Sequence, residues 1–102
     1  MRIADIQAQA RELRAAQGWT SDDPTVRLAY LISEVGEVAR EVIGIREAGE
    51  ATAEARERLG MEIYDVVWNL CDLANILGVD LESAFVRKAA LNSRRKWSKP
   101  DA

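Results

Sequence analysis

The sequence predicts a single all-α domain, a four-helix bundle-like protomer that assembles into a dimer or tetramer. Hydrophobic residues make up 48% of the chain and charged residues 30%, which is typical of a globular protein. Only 6 glycines and 2 prolines are present, which leaves little turn chemistry for many short strands. At 102 residues the chain is long enough for one domain, residues 1–102, and too short for two.

The first two helices are predicted from apolar periodicity and from capping residues. Apolar side chains recur at steps of three and four over residues 2–16, which indicates a first helix that ends near Gly18. Asp23 is expected to cap the second helix, with Pro24 at the first helical position, where a missing N–H costs nothing. We expect this helix to run to about Ile45.

Two further helices follow a glycine-containing connection at residues 44–49. The apolar pattern over residues 53–77 predicts a third helix, and the glycine that follows it is typical of a helix end. Asp80 is the expected cap of a fourth helix over residues 81–97. The tail, residues 98–102, is expected to be flexible.

The composition excludes several functions. Because the chain has no histidine, Ser-His triads and most catalytic zinc sites are ruled out. A net charge of −3 gives no global attraction to a nucleic acid polymer or an anionic membrane, and we expect neither as a partner. No apolar run approaches the roughly 20 residues that span a bilayer, which favours a cytoplasmic protein. The single cysteine, Cys71, is predicted to be a buried apolar side chain.

Acidic residues occupy one side of the second helix. Glu34, Glu37 and Glu41 lie opposite its apolar residues. Those residues gather on one broad face: Leu28, Leu31, Ile32, Val35, Val38, Ala39, Val42 and Ile43. Glu34 and Glu37 are one turn apart on the same side, so their charges repel unless a cation or solvent intervenes. Taken alone, such a pair is typical of a solvated helix face.

The middle of the third helix is apolar nearly all round, except for a narrow stripe of Glu62, Asp65 and Asn69. Such a helix is normally buried, and burying unpaired carboxylates is costly. We therefore expect either a divalent cation at this stripe or an interhelical salt-bridge network with Arg40 or Arg87. Oxygen ligands without histidine or cysteine favour Mg²⁺, with Mn²⁺ as a substitute.

Candidate nucleotide contacts are basic or aromatic. Lys88, Asn92 and Arg95 follow one another at i, i+4 and i+7, so they can converge on a polyanion from one side of the fourth helix. A solvated helix end that complements the helix dipole is the alternative. Trp19 and Trp68 are candidates for stacking on a base, although aromatic residues at helical spacing more often belong to a core.

These motifs, taken in order, resemble the MazG-like branch of the all-α nucleotide pyrophosphohydrolase superfamily. They are Glu34-x-x-Glu37, then Glu62-x-x-Asp65 after a gap of 24 residues, and Lys88-x-x-x-Asn92-x-x-Arg95. The resemblance implies that the first four residues bind Mg²⁺ and that the last three contact a triphosphate. Trp19 and Asn69 are further candidate substrate contacts.

The resemblance also implies a reaction, the α,β cleavage of an NTP or dNTP to a nucleoside monophosphate and pyrophosphate, in a homodimer or homotetramer. Glu34 and Glu37 are the candidate catalytic bases, and Glu41 lies near enough to be considered. Ser33 stands where some relatives carry another glutamate. Two alternatives stay open: a related phosphoribosyl-ATP pyrophosphohydrolase, and a non-catalytic helical module that oligomerises through its apolar faces.

Overall fold

The computed structural model describes residues 1–96 and contains four helices and no strand within that range. They are α1 (Ile3–Gln17), α2 (Pro24–Ala48), α3 (Ala53–Ile76) and α4 (Leu81–Arg94). The predicted all-α class is therefore confirmed. The fourth helix was predicted to run too far, because it ends at Arg94 and the next residue has extended backbone. The tail predicted at 98–102 lies outside the described residues. No helix in the described part is long and apolar enough to cross a membrane.

Local capping chemistry sets most of the helix boundaries. Asp23 accepts a hydrogen bond from the backbone N–H of its second following residue, and Asp80 accepts one from its third, as expected of N-caps. The end of α2 was predicted too early, because the helix continues through Gly44 to Ala48. A glycine inside a helix costs only about 1 kcal/mol relative to alanine. Gly49, with φ of 80°, provides the left-handed C-cap instead.

Helix α3 is the centre of the packing. It lies against α2 on one side and α1 on the other, whereas α4 packs chiefly against α1. Gln7 fastens α1 to the turn between α3 and α4, because its side chain donates to the carbonyl of Val79 and accepts from the N–H of Leu81. The protomer is therefore a packed unit of three helices extended by the fourth.

Little large apolar surface is buried within the described protomer. Its buried hydrophobic residues are all small: Ala10, Ala55, Cys71 and Ala74. The burial predicted for Cys71 is confirmed, and burial raises the pKa of its thiol. The expectation that the middle of α3 is buried is wrong for the protomer, because Met61 and Ile63 are exposed.

The broad apolar face of α2 is also largely exposed, with Ile32 at 65% of its full accessibility. The whole chain has 7708 Å² of accessible surface, against the roughly 5,800 Å² expected of a folded monomer of its mass. This protomer therefore exposes more surface than a compact monomer of its mass, and many large apolar side chains are part of that surface.

Candidate functional site

Helices α2 and α3 meet along a seam of polar residues spaced seven apart. Seven residues are two helical turns, or about 10 Å along the axis, so such residues lie on the same side of a helix. Because the two helices are antiparallel, the spacing produces three layers across the seam. The facing positions are Arg27 and Asp72, Glu34 and Asp65, and Glu41 and Arg58.

The two outer layers pair opposite charges. At one end, Arg58 Nε lies 3.3 Å from Glu41 Oε2. At the other end, the Asp72 carboxylate has no solvent exposure and lies between two guanidinium groups. Arg14 Nη2 is 2.6 Å from Asp72 Oδ2, and Arg27 Nε is 2.7 Å from the same oxygen, as an ion pair. The Asp72 hydrogen bonds raise the pKa of Arg14.

The middle layer, which we call the acidic layer, brings three carboxylates together. Single oxygens of Glu34, Glu62 and Asp65 lie within 4.8 Å of one another. Within residues 1–96, no ion pair joins these carboxylates to a lysine or arginine. The pKa of Glu62 is raised, first by desolvation and then by the negative charges of Asp65, Glu37 and Glu34. The acidic layer is thus the one layer of the seam that lacks a compensating cation among the described residues.

The expected salt bridge from Arg40 does not neutralise this layer. Arg40 Nη1 instead lies 3.1 Å from Glu37 Oε1, one turn away on its own helix, and both side chains are partly or fully solvated. Glu37 stands beside the acidic layer and outside the group of three close oxygens. Arg87, the other expected partner, belongs to α4, which packs chiefly against α1. A salt-bridge network does exist on the seam, but it involves Asp72 and Glu41.

Asn69 connects the acidic layer to the Asp72 layer. Its Oδ1 accepts a hydrogen bond of 2.8 Å from Arg27 Nη1, and its Nδ2 donates one of 2.8 Å to the carbonyl oxygen of Asp65. The residue is 6% exposed. Its amide is therefore engaged at both ends inside the protein, and its predicted contact with substrate stays a prediction.

A cavity of about 610 Å³, the Trp19 pocket, opens beside the Asp72 layer. Its walls include the aromatic rings of Trp19 and Tyr30 and the guanidinium groups of Arg14 and Arg27. Trp19 is 44% exposed and meets Trp68 edge-to-face, with 6.3 Å between ring centroids. Trp19 is therefore a pocket wall rather than a core residue, while Trp68 is half-buried behind it.

The basic residues of the fourth helix are placed elsewhere in the protomer. Lys88 and Asn92 lie on α4, which packs chiefly against α1, whereas the acidic layer lies between α2 and α3. Arg95 follows the last helical residue and has extended backbone, with φ of −81° and ψ of 144°. The expectation that all three share one helical face is thus wrong for Arg95.

Asp72, Arg14 and Arg27 belong to none of the motifs found in the sequence. A signal for two of them was present, since Asp72 follows Asp65 by seven residues and Arg27 precedes Glu34 by seven. That spacing places each on the acidic side of its helix. Nothing local in the sequence identifies Arg14, because its partner is 58 residues away.

The sequence also matches a known family. Residues 23–97 match the MazG nucleotide pyrophosphohydrolase domain, so the chain belongs to that family. It is 34% identical over 89 residues to the uncharacterized protein YvdC of Bacillus subtilis (strain 168), covering 80% of this chain and 84% of YvdC. It is 39% identical over 57 residues to a dATP/dGTP diphosphohydrolase of Cyanophage S-2L, covering 56% of this chain and 54% of that relative.

Proposed function

We propose that this protein hydrolyses nucleoside triphosphates to the monophosphate and pyrophosphate with the help of Mg²⁺. The observation that carries the proposal is the acidic layer, in which Glu34, Glu62 and Asp65 converge between two layers whose charges are paired. Glu34 and Glu62 are half-buried and Asp65 is exposed, and a divalent cation held among them would relieve the repulsion between their charges. Membership of the MazG family supports the same reaction class.

The donor set fits a hard divalent ion. The close atoms are all carboxylate oxygens, which Mg²⁺ prefers and Mn²⁺ accepts, and neither histidine nor cysteine takes part. Glu37, one turn from Glu34, lies outside the close group, so we place it beside the proposed ion and not among its close ligands. Mg²⁺ held there would neutralise charge on the phosphates and the leaving pyrophosphate.

Glu37 is the best-placed general base. A base must offer a carboxylate to the attacking water, and Glu37 stands beside the acidic layer. Arg40 Nη1 contacts both of its oxygens, but the pair is largely solvated and therefore weak enough for a water to displace. Glu34, the other candidate, belongs to the three close carboxylates. Glu41 is engaged by Arg58 in the next layer. We therefore assign proton removal from water to Glu37 and metal binding to Glu34.

The active form is proposed to be a homodimer or homotetramer. The exposed apolar face of α2 has no cover in the described protomer, and a second copy can supply one. The same assembly can bring the basic end of a second copy's α4, with Lys88, Asn92 and Arg95, to the triphosphate. This supply between copies would bring to the seam a helix that packs chiefly against α1 within one protomer.

Purine deoxynucleoside triphosphates are the first substrates to test, because one relative is named as a dATP/dGTP diphosphohydrolase. The Trp19 pocket lies beside the seam and offers an aromatic wall on which a base can stack. A nucleotide whose phosphates meet the acidic layer can therefore place its base against Trp19.

A panel of nucleotides with and without Mg²⁺ tests the proposal. We expect monophosphate and pyrophosphate as products, and Asp65→Asn should lower kcat by more than the 10–100-fold typical of losing an outer-shell partner of a metal ligand. Glu57→Gln, which removes an exposed charge from the same helix, is the matched control. Release of orthophosphate would reassign the cleaved bond.

The same panel separates the alternatives. Turnover of phosphoribosyl-ATP in preference to every dNTP would favour the related enzyme. If Mg²⁺ does not change the melting temperature and no nucleotide is hydrolysed, the non-catalytic helical module is the correct interpretation.

A further inference from the structure

Asp72 is a buried charge that the proposed hydrolysis does not use. Its carboxylate is fully buried, yet it lies two turns from Asp65 on the same side of α3 and ion-pairs with Arg14 and Arg27. A buried ion pair is weak evidence for stability, since desolvation offsets its attraction. Its position beside the Trp19 pocket points to a second role.

The contacts of the two guanidinium groups differ. Arg14 uses all three of its nitrogens: Nε and Nη2 donate to Asp72, and Nη1 donates to the carbonyl of Ser21. Arg27 has Nε against Asp72 and donates from Nη1 to Asn69. Within residues 1–96, Nε makes no hydrogen bond despite its ion pair with Asp72. Nη2 has neither a hydrogen bond nor an ion pair there, and Arg27 lines the Trp19 pocket.

The Arg27 side chain is held on several sides. Its guanidinium carbon lies 5.3 Å from the ring centre of Tyr30 and 5.5 Å from that of Trp68, both within cation–π range. Together with Asp72 and Asn69, these rings give the Arg27 guanidinium group four partners. Its orientation is therefore fixed before any ligand binds. A fixed arginine donor in an aromatic pocket is suited to reading an acceptor on the edge of a base.

We propose that Arg27 determines base specificity by donating from Nη2 to N7 of a purine, and that Asp72 is the positioning residue that holds Arg27 for this contact. The inference rests on the proposed function. N7 is an acceptor in adenine and guanine alike, and pyrimidines have no equivalent. Arg27 precedes Glu34 by two turns, about 10 Å, so a base in the Trp19 pocket and phosphates at the acidic layer can belong to one nucleotide.

The test compares dGTP with 7-deaza-dGTP, in which a C–H group replaces N7. For the wild type we expect KM to be about tenfold lower for dGTP with similar kcat, as for the loss of one hydrogen bond to a charged donor. Arg27→Gln and Asp72→Asn should bring the two KM values together. Gly49→Ala, which weakens the fold far from the pocket, should keep the tenfold ratio although its melting temperature falls.

Equal KM values for the wild type, or a ratio that survives in Arg27→Gln, would overturn the inference. If Asp72→Asn does not fold, Arg27→Met carries the test, because it keeps an unbranched apolar stem and removes every N–H donor of the side chain. Absence of any turnover would contradict the proposed function alone. In that case the same pair of nucleotides is compared by quenching of tryptophan fluorescence, where equal affinities for the wild type would still overturn the base contact.

Discussion

Glu62 shows how the acidic layer opposes folding at the scale of one residue. Its pKa is raised from the ordinary 4.5, first by desolvation and then by the neighbouring carboxylates. The folded state therefore binds the Glu62 proton more tightly than the unfolded chain does. Below about pH 4.5 the carboxyl is protonated in both states and does not change the free energy of unfolding. As the pH rises through the raised pKa, the free energy of unfolding decreases.

Glu62→Gln should consequently melt higher than wild type in EDTA at about pH 7, and the difference should close below about pH 4.5. The same variant should lose most of the Mg²⁺-induced stabilisation, which for wild type is about 2.7 kcal/mol at a hundredfold excess over Kd. Melting curves with EDTA and with Mg²⁺ at both pH values measure these shifts, with Glu57→Gln as the control. A Glu62→Gln protein that melts lower in EDTA at neutral pH would indicate a salt-bridged carboxylate instead.

Glu37 provides a second prediction at the residue scale. If it is the general base, Glu37→Gln should lower kcat by about 10²–10⁴-fold. Because Glu37 lies outside the three close carboxylates, a substantial Mg²⁺-induced rise in melting temperature should remain. Glu41→Gln, which breaks the pair with Arg58, is the matched control and should retain most of kcat. Loss of the Mg²⁺ shift in Glu37→Gln would identify a metal ligand as its principal role.

Which residues lie on the same face of one helix can be predicted well from the sequence. Which faces of different helices pack against each other can be predicted only poorly. Spacings of three residues place Glu34 beside Glu37 and Glu62 beside Asp65, and the structure brings Glu34, Glu62 and Asp65 together. Which helices face each other depends on long-range packing. For that reason the partners of Asp72 were missed, although its own position on the acidic side of α3 follows from the seven-residue spacing.

At the scale of the element, helix starts were predictable because caps are local. Asp23 and Asp80 act within three residues of their own position. The end of α2 was mispredicted because two glycines compete for it: Gly44 has helical backbone, and Gly49 alone has positive φ. A glycine stabilises the fold at position 49, where φ is positive, and destabilises it at position 44, inside the helix.

Alanine substitution should therefore move stability in opposite directions at these two glycines. Gly49→Ala places a Cβ in the left-handed region and should lower the free energy of unfolding by about 1 kcal/mol. Gly44→Ala adds a Cβ that meets no atom within 4 Å, so it should raise the free energy of unfolding by about 0.5–1 kcal/mol. Urea unfolding at a fixed protein concentration measures both. Equal signs for the two variants would contradict the assignment of Gly49 as the cap.

At the scale of the whole molecule, the acidic side of α2 faces α3 and the apolar side faces outward. Glu34, Glu37 and Glu41 are all half-buried, whereas Ile32 and Val42 are exposed. This arrangement is the reverse of an ordinary amphipathic helix on a monomeric protein. It places the charged site along the seam between α2 and α3 and leaves the apolar face for another chain, which is why the sequence favoured an assembly.

Replacing Ile32 with lysine tests this assembly directly. In the protomer Ile32 is 65% exposed, so Ile32→Lys removes little packing within one chain and should leave each folded protomer intact. In an assembly built on this face, the same change buries an unpaired charge and should drive dissociation. Sedimentation at micromolar concentration should then show oligomers for wild type and monomers for Ile32→Lys.

Hydrolysis should fall with dissociation, because the basic end of α4 would no longer reach a second copy's acidic layer. Gln17→Lys, an equal change of charge at an exposed polar position, should stay assembled and active. A wild-type monomer that hydrolyses nucleotides at full rate would show that one protomer completes its own site.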